Sequence, residues 1–163
     1  MKTLLIAYHS RTGATHAMAQ AVGNGASAET NVKVLVQPAT ETTSEHVLQA
    51  DAYVFAAPEM LGSMSGLMKD LFDRTYYDVL DQINGRPFAT VVCAGSDGQG
   101  AVRQIQRIAT GWRLNAIAPA LVVCTHAQTA QAILAKKQLG ASDLQRGFDL
   151  GEGFAAGLAQ GIF

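Results

Sequence analysis

Five short apolar runs alternate along this chain with stretches of helical periodicity, and that alternation limits what it can fold into. The runs are Thr3–Tyr8, Asn31–Gln37, Ala52–Ala57, Phe88–Ala94 and Ala116–Cys124. Several are apolar throughout rather than at every second residue, the pattern of strands buried on both faces of a parallel sheet. Between them, Ala14, Ala17, Met18, Ala21 and Val22 fall on one helical stripe that is predicted to end at Gly23. Met64, Leu67, Met68, Leu71 and Phe72 repeat that spacing, as do Ala101, Ile105, Ile108, Ala109 and Trp112. A last helix carries Leu144, Phe148, Gly151, Ala155, Leu158, Ala159 and Ile162, with Ser142 or Asp143 as its predicted N-cap. Ser44–Gln49 is a short helix candidate, and 125–140 is either a long loop or a loop holding one helical turn. Right-handed crossovers place helices on both faces of the sheet. The chain is therefore predicted to be α/β, a doubly wound five-stranded parallel sheet of order 2-1-3-4-5.

With 163 residues, 48% of them hydrophobic and no linker or repeat, residues 1–163 are expected to form a single domain. A net charge of −1 gives no footprint for nucleic acid. Two cysteines, Cys93 and Cys124, make no disulfide framework and no four-thiolate zinc site. The run Leu4–Tyr8 is too short for a leader, and no run reaches the ~20 residues of a membrane span. A soluble, cytoplasmic protein without membrane insertion is the expectation.

In an open parallel sheet, ligands bind outside the carboxyl ends of the strands, and three unusual loops lie there. The first, His9–Thr15, offers hydroxyls at Ser10, Thr12 and Thr15, a charge at Arg11, and the small Gly13 and Ala14 at a helix start. It is either a cradle for an anion or a polar turn that caps its own helix. It lacks the Gly-Lys-Ser/Thr of a nucleotide-triphosphate loop and the Gly-x-Gly-x-x-Gly of a dinucleotide fold. The second loop runs Pro58, Glu59, Met60, Leu61, Gly62, Ser63, Met64, with Pro58 expected to stop its strand. Met60 and Leu61 either tuck onto the core or flank a flat ligand. The third, Ala94, Gly95, Ser96, Asp97, Gly98, leaves backbone amides uncovered, either for a heterocycle edge or as a plain flexible connection. Meeting at one sheet edge, the three point to a phosphorylated planar ligand.

Ser10-x-Thr12-Gly13-x-Thr15 resembles the phosphate loop of flavodoxin-like FMN-binding proteins. The run from Pro58-Glu59 through Gly62-Ser63 and Gly66 to Lys69-Asp70 and Asp73 is similar to NAD(P)H-dependent FMN reductases. It also resembles quinone reductases related to the tryptophan-repressor-binding protein. The resemblance covers about residues 3–124. It implies a flavodoxin-like fold, FMN phosphate on Ser10–Thr15, ring contacts from Pro58–Met64 and from Ala94–Gly98, and NADH or NADPH as reductant. Unlike electron-carrier flavodoxins, the chain is not strongly acidic and has no aromatic residue in its second or third loop. The expected function is an FMN-dependent oxidoreductase that passes hydride to a quinone, flavin or other small planar acceptor, as a homodimer or homotetramer. The alternative is a flavodoxin-type electron carrier. No catalytic side chain and no metal are expected, since the flavin carries the chemistry.

Of the remaining residues, His9 is expected to be a loop histidine without further role, and His126 is a candidate for reaching the flavin or a substrate. His16 and His46 read as exposed helix residues, and Tyr76 and Tyr77 as surface or core packing or a substrate wall. Cys93 and Cys124 read as buried, inert thiols. Gly147, Gly151, Gly157 and Gly161 suit close packing on the sheet or on a second subunit.

Overall fold

A computed structural model describes residues 1–163, and in it the first four apolar runs each form a strand while the fifth forms two short pieces. The elements are β1 (Lys2–Tyr8), α1 (Ala14–Ala26), β2 (Val32–Pro38), α2 (Ser44–Gln49), β3 (Ala52–Met60), β4 (Ser63–Met64), α3 (Gly66–Val79), β5 (Pro87–Ala94), α4 (Gln99–Gly111), β6 (Asn115–Ala116), β7 (Leu121–Cys124), α5 (Ala130–Leu134) and α6 (Ala141–Ala159). The sheet runs β2-β1-β3-β5, with β6 and β7 both parallel to β5 at its edge. Counting β6 and β7 as one interrupted fifth strand, and setting aside the antiparallel β4, this is the predicted 2-1-3-4-5 order.

The interruption departs from the single strand expected over Ala116–Cys124. Asn115 pairs with Pro87 and Ala116 with Phe88, but Leu121 pairs with Val91. Four residues, Ile117 to Ala120, therefore face two on β5, and Pro119 among them has no N–H to donate.

The sheet separates two layers of side chains. On one face Phe55, Phe72, Phe88 and Trp112 join α3 and α4 in the larger core. Trp112 meets Phe72 edge-on at 5.1 Å. On the other face Leu4, Ile6, Val54 and Val91 are covered by α1 and α6 through Met18, Val22, Phe154 and Leu158.

Three predicted helix and strand ends move, each for a reason of packing. Helix α1 passes Gly23 and runs to Ala26, because its glycines serve close contact rather than termination. A Cβ on Gly25 would lie 2.0 Å from the Phe148 carbonyl oxygen, and one on Gly151 would lie 1.9 Å from that of Val22. So α6 rides backbone to backbone on α1, and Gly147 and Gly151 serve packing within the chain. Gly140, not Ser142 or Asp143, is the N-cap of α6, and Asp143 pairs with Arg146 inside the first turn.

Nor does Pro58 stop β3, which continues to Met60. The last β1 pair is Tyr8 with Ala56, so β1 has already ended where the missing N–H of Pro58 would point. Its carbonyl accepts the Ser65 N–H at 3.1 Å instead. The chain then turns back through Leu61 (φ 53°) and Gly62 (φ 72°), and β4 pairs with β3. Two left-handed residues in a two-residue loop give a tight hairpin whose twist suits the strands.

Candidate functional site

A cavity of about 340 Å³ opens at the carboxyl ends of β1, β3, β5 and β7. Loop one forms its floor through Ser10, Arg11, Thr12, Ala14 and Thr15. Helix α1 starts there on Gly13 at φ 101°, a conformation that favours glycine. Among residues 10–16 only the Gly13 N–H is satisfied within the chain, by Ser10 Oγ at 3.2 Å. The first turn carries no acidic residue and no side-chain cap. The amides of Arg11, Thr12, Ala14 and Thr15 and the Arg11 guanidinium are therefore donors without a partner in the chain, at the positive end of the helix dipole and on residues that line one cavity. Thr15 is buried, and its hydroxyl lies beside Cys93, whose thiol is pushed up to about 11 by burial. His9 is less basic than an ordinary histidine, first through burial and then through the charge of Arg11. Its Nδ1 is buried without a partner, and the ring does not line the cavity.

The second and third loops prove to be one unit. Pro58, Glu59, Met60 and Leu61 line the cavity, as do Ala94 and Gly95. The Glu59 carboxylate, however, turns to the start of α4. Its Oε1 accepts the Gly98 N–H at 3.0 Å and its Oε2 accepts the Ala101 N–H at 3.2 Å. The α4 terminus thus holds the chain's own carboxylate, whereas the α1 terminus holds none. Gln104 Oε1 takes the Met64 N–H at 2.9 Å and the Ser63 hydroxyl at 2.8 Å. Gly100 lies so close that a Cβ on it would stand 1.9 Å from the Gly62 carbonyl oxygen. Met64 is buried in the core, and Gly62, Ser63, Met64, Ser96, Asp97 and Gly98 do not line the cavity; neither does Gly13. The amides of Gly95, Ser96 and Asp97 have no acceptor in the chain. Leu61 stands fully exposed at the hairpin tip, left-handed and apolar.

Thr125, Ala127, Ile133, Leu134 and Lys137 also line the cavity, a contribution that sequence reasoning missed. The stretch 125–140 carries no periodicity to place it. The exposed apolar pair Ile133-Leu134 inside that stretch is the one signal that was there. His126 lies outside the cavity wall, at φ 54°, with its N–H on the Gly95 carbonyl at 2.8 Å. Tyr76 packs against the core, while Tyr77 is 82% exposed. His46 is no idle surface residue: its Nδ1 accepts the Thr43 N–H at 3.0 Å and closes a capping box on α2. His16 is exposed and stacks on Tyr8. Cys93 is buried and Cys124 half-buried.

The family model for NADPH-dependent FMN reductase matches residues 25–129. The chain belongs to that family. Among curated relatives, a flavodoxin of Aquifex aeolicus is 34% identical over 100 residues, covering 61% of this chain and 52% of the relative. An NAD(P)H dehydrogenase (quinone) of Geotalea uraniireducens is 31% identical over 96 residues, covering 44% of this chain and 47% of the relative. The chain thus spans about half the length of the curated relatives it matches. In fold, this NADPH-dependent FMN reductase family member superimposes on a flavodoxin from the domain Archaea with a TM-score of 0.79 at 23% identity, over 94% of this chain and 96% of the other. The fold is flavodoxin-like. No helix is long and apolar enough to cross a membrane.

Proposed function

We propose that this chain binds FMN and acts as an NAD(P)H oxidoreductase, passing hydride to a quinone, a flavin or another small planar acceptor. The observation that carries this reading is the pairing of a donor-rich, acid-free α1 terminus with an apolar-walled cavity at the strand ends. A dianionic phosphate and a planar ring need those two surroundings side by side. Membership in the NADPH-dependent FMN reductase family supports the same ligand. The residues present fit it: unsatisfied amides at Arg11, Thr12, Ala14 and Thr15 hold the phosphate, and the hydroxyls of Ser10 and Thr12 stand beside them. Pro58–Leu61 border the ring, with the free amides of Gly95–Asp97 as donors for its polar edge. When bound, FMN would supply the hydride-transfer chemistry that amino-acid side chains do not provide. The chain's work is to bind, orient and exclude water. Glu59 does this indirectly, by locking the second loop to α4. The chain has no separate nucleotide fingerprint, so reductant and acceptor use the same mouth in turn. A homodimer or homotetramer is part of the proposal, supported by the exposed apolar Leu61 and Tyr77.

The likeness to the Aquifex aeolicus flavodoxin favours a second reading, a carrier that trades electrons with protein partners. Anaerobic mixing of the FMN-loaded protein with NADPH, then NADH, separates the two. Bleaching of the flavin absorbance without a further reductase, with turnover on a small quinone, is the expected result. Stoichiometric FMN that neither nucleotide bleaches refutes the enzyme reading and leaves the carrier.

A further inference from the structure

We propose that residues 125–137 form a third wall of the flavin site, in which Ile133 and Leu134 cover one face of the ring. The proposal rests on reading the cavity as an FMN site.

After β7 the chain does not run directly into α6. Its first residues follow loop three, with the Thr125 N–H on the Ala94 carbonyl at 2.9 Å and the His126 N–H on that of Gly95 at 2.8 Å. It then crosses the strand ends to loop one, where the Lys137 N–H reaches the Thr12 carbonyl at 2.7 Å. The segment is thus a strap tied at both ends to the loops of the site. Loop one starts α1, so the strap closes the cavity on the sheet face that α1 and α6 cover. The β3–β4 hairpin is fixed to α4 and closes it on the other face.

Between its two ties the strap touches little. Every residue from Gln128 to Lys136 is exposed, and α5 buries no side chain. Five residues are far too few for a helix to hold itself in water. Two local devices hold it: the Thr129 hydroxyl accepts the Ala132 N–H at 3.1 Å, and the Lys137 ammonium closes the other end. Lys137 Nζ donates to the carbonyls of Ala132 (2.7 Å), Ile133 (2.8 Å) and Ala135 (2.6 Å), which uses all three of its protons. Lys137 is therefore a positioning residue, with no proton left to donate to a phosphate.

Ile133 and Leu134 are the anomaly. They are 51% and 67% exposed, yet they line the cavity that Met60 and Leu61 line from the hairpin. Two large aliphatic side chains on a strap that buries nothing of the chain gain only by covering an apolar ligand. Loop two and loop three contain no aromatic residue to stack on the ring. Aliphatic cover from both sides would replace such a stack. Phosphate and ring would then be held by separate parts of the chain, loop one for the former and the strap for the latter.

The test measures FMN and riboflavin dissociation constants by fluorescence quenching in the parent, in I133A/L134A and in Lys137→Met. It also follows trypsin cleavage after Lys136 with and without FMN. The wall predicts that I133A/L134A weakens FMN and riboflavin alike, by about tenfold or more. The ligand-free melting temperature should change little, because both side chains are more than half exposed. Lys137→Met should weaken both flavins and speed cleavage after Lys136, and FMN should slow that cleavage in the parent. Parent-like affinity of I133A/L134A for both flavins, or cleavage indifferent to FMN, overturns the wall. A parent that binds neither flavin overturns the FMN reading first, and the wall with it.

Discussion

Gly100→Ala tests whether the second and third loops act as one unit. The added Cβ would lie 1.9 Å from the Gly62 carbonyl oxygen, 2.7 Å from its carbon and 3.2 Å from Glu59 Oε2. Two of these are backbone atoms, which no rotamer change can move. Non-bonded carbon settles near ~3.5 Å, so the hairpin tip must retreat by roughly 1.5 Å. A shift of that size breaks the 3.2 Å bond from Ala101 N–H to Glu59 and the 2.9 Å bond from Met64 N–H to Gln104. At about 1–1.5 kcal/mol each, the loss is about 2–3 kcal/mol. For a chain of this size that lowers the melting temperature by about 4–12 °C. Circular dichroism at constant heating rate reads the shift, and flavin titration reads the displaced wall, with FMN and riboflavin weakened by the same factor. A melting temperature within about 1 °C of the parent, with unchanged flavin affinity, would refute the argument that this contact positions the site.

Thr12→Val should weaken FMN by about tenfold or more and leave riboflavin nearly unaffected, a hydroxyl-to-anion bond contributing about 1.5–3 kcal/mol; equal loss for both ligands assigns the hydroxyl to the fold. His9 has its basicity lowered by burial and by Arg11, so the folded state binds fewer protons than the unfolded chain. Stability should therefore rise as pH climbs through the window just below 6.5, and His9→Asn should flatten that limb in urea titrations; an unchanged limb removes His9 as its source. Steady-state turnover with a small quinone should give parallel double-reciprocal lines, and intersecting lines would require a second site. Light scattering of the FMN-loaded protein at micromolar concentration should return a multiple of 17.2 kDa, and the monomer mass would count against self-association.

Local signals survived from sequence to structure, and long-range ones did not. The apolar runs, the stripes of α1 and α4, and the hydroxyl-rich start of α1 are properties of neighbours in sequence, so periodicity and residue type expose them. Pro58 read as a terminator because its lost N–H matters only if a strand lies beside it, and β1 has ended there. Glu59 lines the cavity as its loop suggests, but the hold of its carboxylate on amides 39 and 42 residues further on is not legible in sequence. Gly23 read as a helix end, yet α1 needs its glycines for the approach of β2 and α6, including a helix that begins more than a hundred residues later. The strap carries no periodicity, only the apolar pair Ile133-Leu134. Its place follows from backbone bonds at its two ends, Thr125 and His126 to loop three and Lys137 to Thr12, which join distant parts of the chain.

The broken edge beside β5 bears on how copies of this chain behave when crowded. An open sheet ends in strands whose unpaired amides can template another molecule's strand, the first step toward aggregates. Here the exposed margin is divided into β6, two residues long, and β7, four residues long, with Pro119 between them and a two-residue slip in register. No incoming strand can find more than a few consecutive partners along it. At the opposite margin β2 carries Lys33 near its start and ends on Pro38. A chain so rich in apolar strands thus has both sides of its sheet guarded against fibrous growth.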